Sequence, residues 1–183
     1  MKLTRQLRNL ILAMAAISLA LHAQQTQPPP TAPAQSRLLC LFFDLNTLNA
    51  AALTTAQDTA VKFIERQANP ADRMTVMTYD SQLNVLQDFT GDHDSLLAAV
   101  RMIMPSGATR TIDANTQLQG LQSAISSLAS LPDGKVMIYF SSGIPKNSVD
   151  NQAQVRAATA AAVRANVSVY PVDSRGLQVN PRQ

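Results

Sequence analysis

Apolar residues along this chain follow two different periods, and together they predict a run of alternating strands and helices. Leu38 to Phe43 is apolar without a break and stops at Asp44. A run this short, with no polar alternation, predicts a central strand buried on both faces. Leu53, Ala56, Ala60, Phe63 and Ile64 then recur at helical spacing, which predicts a helix from about Ala51 to Gln67, ended by Asn69-Pro70. Arg73 to Tyr79 reads as a second strand. A turn at Asp80-Ser81 leads into a short third strand, Leu83 to Leu86, an antiparallel hairpin partner at the sheet edge. Thr90-Gly91-Asp92 opens another helix, capped by Asp92 or Thr90, with Leu96, Leu97, Val100 and Ile103 as its apolar face. Pro105 to Asn115 is an irregular loop. Leu118, Leu121, Ile125 and Leu128 mark the next helix. After Pro132-Asp133-Gly134 comes a second wholly apolar strand, Val136 to Phe140, ending at Ser141-Ser142-Gly143. An Ala-rich helix follows over Asn151 to Asn166, with Val155, Ala158, Ala162 and Val163 facing inward. Val167 to Val172 is the last strand, and it ends at Asp173-Ser174-Arg175-Gly176.

Strands alternating with helices in this order predict an α/β fold: a three-layer, doubly wound, mostly parallel sheet with strand order 3-2-1-4-5 and strand 3 antiparallel. The winding reverses between strands 1 and 4. Ligands of such sheets sit at the carboxyl ends of the strands beside that reversal. Asp44, Asn46, Ser141 and Ser142 are therefore expected around one crevice.

Composition changes this picture only at the N-terminus. The chain has 183 residues and is 46% hydrophobic, enough for one domain with appendages. Basic residues outnumber acidic ones by 15 to 12, and Lys2, Arg5 and Arg8 account for the whole excess. The remainder is neutral, which gives no support to nucleic-acid or acidic-membrane binding. Those three cations precede an apolar stretch, Leu10 to Leu21, with cleavage points after Ala20 or Ala23. Residues 1–23 thus read as a secretory signal peptide, with an uncleaved anchor as the alternative; either route takes the domain out of the cytoplasm, to the periplasm or beyond. Pro28, Pro29, Pro30 and Pro33 make residues 24–36 an extended linker, and residues 37–183 form the folded domain. The single cysteine, Cys40, lies inside the first apolar run and behaves as a small hydrophobe.

Catalytic chemistry has few candidates. A serine hydrolase would have to combine Ser141 or Ser142 with His93, the only histidine beyond the leader, and the Gly-x-Ser-x-Gly elbow is absent. No Cys-His metal cluster can be built, and no phosphate-binding glycine loop is present. Glu65, the only glutamate, belongs to the solvent face of the first helix, and Asp92 and Asp94 read as helix-start charges.

Four segments carry a resemblance to a known family. They are Phe43-Asp44-Leu45-Asn46-Thr47, Leu86-Gln87-Asp88-Phe89-Thr90, Tyr139-Phe140-Ser141-Ser142-Gly143-Ile144-Pro145 and Val169-Tyr170-Pro171-Val172-Asp173-Ser174-Arg175-Gly176-Leu177. In that order they resemble a von Willebrand factor type A domain of the bacterial secreted subgroup, over about Arg37 to Leu177. Such domains often hold Mg²⁺ through Asp-x-Ser-x-Ser, a Thr before the third helix and an Asp after strand 4. The resemblance places Asp44 at the first Asp, Asn46 at the first Ser, Leu48 at the second Ser, Asn115 or Thr116 at the Thr, and Ser142 at the last Asp. One carboxylate is left, so the implied metal set Asp44, Asn46, Thr116 and Ser142 would hold Mg²⁺ weakly. The competing expectation is that Asp44 and Asn46 hydrogen-bond their own loop and cap the first helix.

What the resemblance implies is a non-catalytic adhesion module with a degenerate metal-ion-dependent adhesion site, meeting a protein or cell-surface ligand through Asp44, Asn46, Thr47, Thr116, Ser141, Ser142 and Arg175. Arg175 is expected to pair with Asp173 in a local turn, with Asp44, or with a partner's carboxylate. Type A domains continue past strand 5 with a helix, a sixth strand and a final helix, whereas this chain stops at Gln183. A sheet edge left open there predicts assembly through strand 5 as the alternative function.

Overall fold

The two apolar runs pair side by side at the centre of the sheet. β1 (Leu38–Asp44) lies parallel to β4 (Lys135–Ser141), with Phe43 opposite Phe140. A computed structural model describes residues 36–106, 114–143 and 150–175, all within one unit, Gln35–Gln183. The predicted signal peptide, the linker up to Gln35, the loop positions 107–113 and the motif residues Ile144, Pro145, Gly176 and Leu177 lie outside the described residues.

The element order is β1, α1 (Ala50–Arg66), β2 (Arg73–Tyr79), β3 (Leu83–Thr90), α2 (His93–Arg101), α3 (Ala114–Leu128), β4, α4 (Asp150–Arg164) and β5 (Val167–Asp173). The five strands run in the order β3-β2-β1-β4-β5, and only β3 is antiparallel to its neighbour. This is the architecture expected from the sequence.

Alternation along β1 explains why its run has no polar gap. Leu39, Leu41 and Phe43 pack with α1 and α2 on one face, while Cys40 and Phe42 pack with α3 and α4 on the other. A strand with helices on both sides has no solvent face to mark with polar residues. One aromatic pair stacks on each side of the β1–β4 seam: Phe43 on Phe140 at 4.6 Å and Phe42 on Tyr139 at 5.6 Å between ring centres. Burial pushes the Cys40 thiol well above its usual range, as fits a residue serving as a hydrophobe.

Three expectations need correction. β3 continues to Thr90 rather than stopping at Leu86, because an edge strand is held by its backbone ladder and needs no apolar pattern. The ladder absorbs irregularities between Met74 and Met77, and Val85 and Leu86 stay exposed. Val155 and Val163 of α4 face solvent, at 41% and 74% exposure. The packed stripe of that helix is Ala158, Ala161 and Ala162, continued by Ala165, and small residues let the helix sit close. Finally, the cap of α1 is Asn49, whose side chain accepts the Ala52 N–H at 2.9 Å, not Asp44 or Asn46. The chain makes a full turn over Leu45–Thr47 before the helix begins.

Candidate functional site

The carboxyl ends of β1 and β4 bring Asp44 beside Ser141, as the topology requires. Asp44 is the buried centre of this end of the molecule, at 1% exposure. Its Oδ1 accepts the Asn46 N–H at 3.2 Å, and its Oδ2 accepts the Tyr139 hydroxyl at 3.0 Å. Its carbonyl oxygen accepts the Thr47 and Leu48 N–H groups, both at 3.1 Å, and the Thr47 hydroxyl at 3.2 Å. The Thr47 hydroxyl in turn accepts the Ser142 N–H at 3.2 Å, which ties the β1 loop to the β4 loop. Ser141 is bridged to β5 by the Ser174 N–H on its carbonyl oxygen at 2.9 Å.

Tyr139 and Gln117 complete the network. The Gln117 amide donates to the Tyr139 oxygen at 2.9 Å and to the Gly143 carbonyl at 3.2 Å. A chain of hydrogen bonds therefore runs from the β4 loop through α3 to Asp44. Neither residue was singled out from the sequence. Each carried a signal: a phenol inside an apolar strand needs a partner for its hydroxyl, and a glutamine next to Leu118 begins the inward stripe of α3. Gly143 adopts a φ of 85°, and a Cβ there would lie 3.0 Å from the Arg175 guanidinium. Only glycine suits that position.

Burial pushes the Asp44 carboxyl up to about 6, against the lowering effect of the Tyr139 and Asn46 hydrogen bonds. Among the described residues, no cation is among the influences on this carboxyl. The Tyr139 hydroxyl is itself raised, by burial first and by the Asp44 charge second.

The remaining predicted residues separate by exposure. Ser141 is buried at 2%, like Asp44. Asn46, Thr47, Thr116 and Ser142 are half-buried, and Asn115 and Arg175 are exposed. Arg175 pairs with Asp173, its Nε lying 2.9 Å from one carboxylate oxygen and 3.1 Å from the other, so the local turn pair is the arrangement found. Leu48 points into the core at 3% exposure, consistent with its failure to supply an oxygen. The Asn46 amide nitrogen, the Gln117 amide oxygen and the Ser142 hydroxyl are buried without a hydrogen-bond partner.

The hydrolase arrangement does not assemble. Thr90 pairs with Met74 at the start of β2, so His93 opens α2 at the amino end of the sheet. Ser141 and Ser142 lie at the carboxyl end, about a strand length or roughly 20 Å away. Among the described residues no group of three or more His, Cys, Asp or Glu side chains is placed to hold a metal. Mg²⁺ wants an octahedron of oxygens with one or two carboxylates. Asp44 is the one carboxylate of the predicted metal set, and both its oxygens already accept hydrogen bonds.

Comparison with known proteins agrees with the architecture. The von Willebrand factor type A domain profile matches residues 44–144, and the chain belongs to that family. Domains of this kind are in general non-catalytic interaction modules. Among solved structures, the chain is similar to an aerotolerance-related membrane protein from Bacteroides fragilis, with a TM-score of 0.52 at 14% identity over 74% of this chain and 66% of that one. It is also similar to BatB from Bacteroides thetaiotaomicron, with a TM-score of 0.51 at 17% identity over 74% and 65%. Proximal thread matrix protein 1 of the mussel byssus has a TM-score of 0.52 at 11% identity over 74% and 37%. The chain thus spans less than two thirds of each of those chains. A comparison with curated proteins found no match. Among the described residues, no helix is long and apolar enough to cross a membrane.

Proposed function

We propose that this protein is a secreted type A module that binds a protein or cell-surface ligand through the carboxyl rim of its sheet, without a bridging metal. The observation that carries this reading is the state of Asp44: 1% exposed and bonded at both oxygens. A carboxylate in that position organises the loops and is poorly available to Mg²⁺. The contact surface is then the half-buried and exposed shell around it, namely Asn46, Thr47, Thr116, Ser142 and Arg175, with Asp44 and Ser141 supporting from beneath. Secretion rests on the N-terminal pattern of Lys2, Arg5, Arg8 and the Leu10–Leu21 stretch.

Calorimetric titration with Mg²⁺ and Mn²⁺ tests the metal-free rim. No saturable heat is expected. Saturable heat that disappears in Asp44→Ala would overturn the reading in favour of a working, degenerate metal site. A ligand captured from the producing organism should be retained in a chelator and lost when Ser142 is replaced by Arg.

A second reading has its own observation. β5 is an edge of the described sheet, and Tyr170 on it is 59% exposed. Assembly through that edge predicts a dimer in sedimentation that Tyr170→Lys dissolves.

A further inference from the structure

A second feature of the same end of the molecule is not used by the Asp44 network. A polar cleft of about 370 Å³ lies against the first turn of α1, lined by Asn49, Ala51, Ala52, Thr55, Ser174 and Arg175. α1 is 17 residues long and has no acidic residue in its first turn, so no side chain of its own offsets the positive end of the helix dipole. The Asn49 cap takes the Ala52 N–H, and the first bond within the helix is Leu53 N–H to the Asn49 carbonyl. The N–H groups of Ala50 and Ala51 therefore have no partner inside the helix. Independently of the helix, Ser174 lines this cleft at 1% exposure with a hydroxyl that has no hydrogen-bond partner. A buried hydroxyl without a protein partner is completed by a water, an ion or a ligand. Arg175 lines the same opening.

We propose that this cleft binds a small oxyanion, held by the α1 N-terminus, the Ser174 hydroxyl and the Arg175 guanidinium. Helix ends of this kind favour anions through both the dipole and the outward N–H groups. Arg175 supplies a planar donor set suited to a carboxylate or phosphate. The Asp173 carboxylate, 49% exposed and already paired with Arg175, competes for that donor. Removing it should therefore improve the site. The proposal goes beyond docking at the rim and does not depend on it, because the anion is tested on this protein alone.

The experiment is an amide-shift NMR titration of the full chain with sodium acetate and, separately, inorganic phosphate, at ionic strength held constant with chloride. Saturable shifts are expected at Ala51, Ala52, Ser174 and Arg175. Affinity should fall about tenfold in Arg175→Gln and several-fold in Ser174→Ala, and rise several-fold in Asp173→Asn. Arg175 and Asp173 are exposed and Ser174 loses no hydroxyl bond, so unchanged unfolding midpoints should show that all three variants fold. Acetate preferred over phosphate identifies the oxyanion as a carboxylate such as a partner's side chain; the reverse identifies a phosphate group. A linear drift equal to that of chloride, or saturation that none of the three substitutions moves, overturns the site. Loss of partner capture in the Ser142→Arg variant with anion binding intact would separate the two readings.

Discussion

Two buried aspartates stand at opposite ends of this sheet and are treated in opposite ways. At the amino end, Asp72 is held by Arg37 in a two-pronged pair, Nε at 2.9 Å and a terminal nitrogen at 2.6 Å, and also accepts the Asn69 N–H at 2.8 Å. The Arg37 guanidinium keeps the Asp72 carboxyl below the usual range. At the carboxyl end, Asp44 has hydrogen bonds but no cation partner among the described residues, and burial pushes it up to about 6. The first arrangement is what a carboxylate used for stability looks like: its charge is compensated and it joins the entry to β1, the end of α1 and the start of β2. The second holds a carboxylate with no cation partner among the described residues where the chain reverses its winding, a position that in doubly wound sheets faces ligands. On the proposed reading, stability and binding fall at different ends.

The comparison breaks most sharply at Arg37. Arg37→Met leaves a buried carboxylate without its cation and should cost about 2–4 kcal/mol in chemical denaturation, the pair being partly open to solvent on the arginine side. An unfolding free energy unchanged by the substitution would show the amino end to be less dependent on charge than its geometry indicates.

Asp44 gives an effect of smaller size and distinctive sign. Its folded pKa lies above the unfolded value of 3.8, so the native state holds the proton more tightly. Its contribution to stability is complete below pH 4 and is lost as pH rises through about 6. Asp72 works the other way: its contribution is present above the ordinary carboxylate range and is lost on acidification. Asp44→Asn keeps an acceptor for Tyr139 and should remove the decline between pH 4 and 6, leaving the variant more stable at pH 8 by about 1–2 kcal/mol. A wild-type and variant pair with parallel pH profiles would contradict this.

The smallest change expected is in Tyr139→Phe. It removes the phenol from between Gln117 and Asp44 and should cost about 1 kcal/mol. The Asp44 carboxyl should rise further, since the Tyr139 hydrogen bond is the largest influence lowering it. Carbon-detected titration of that carboxyl reads the shift directly.

Much of the fold could be read from the residues because hydrophobic period is a local property. Leu38–Phe43 and Val136–Phe140 announce strands covered on both faces, and Leu118, Leu121, Ile125 and Leu128 announce a helix stripe; the structure buries all of these except Leu38, Val136 and Ile138, which are half-buried. Strand order follows from the connection rules once those elements exist. The positions of Asp44 and Ser141 at one end of the sheet follow as well. The alanine stripe of α4 was harder to read, since valine is the stronger hydrophobe and the closeness of a neighbouring helix is not written in one segment. The extent of β3 was hidden for a similar reason: backbone pairing leaves no side-chain pattern.

Sequence alone therefore determined the layered sheet, its order and the winding reversal at Asp44, because each rests on local period and chain connectivity. The tertiary structure decided which polar groups find one another. Tyr139 meets Asp44 across 95 residues of chain and Gln117 meets Tyr139 across 22, with Arg37 reaching Asp72 across 35, and Ser174 is left with an unused hydroxyl beside the α1 N-terminus. A hydrogen bond is short and directional, so its partners are fixed only when the packed core sets the spacing between strands. That spacing left Asp44 a buried acid held by neutral donors among the described residues and made Asp72 one held by a guanidinium, although in the sequence both are aspartates at the edge of a strand.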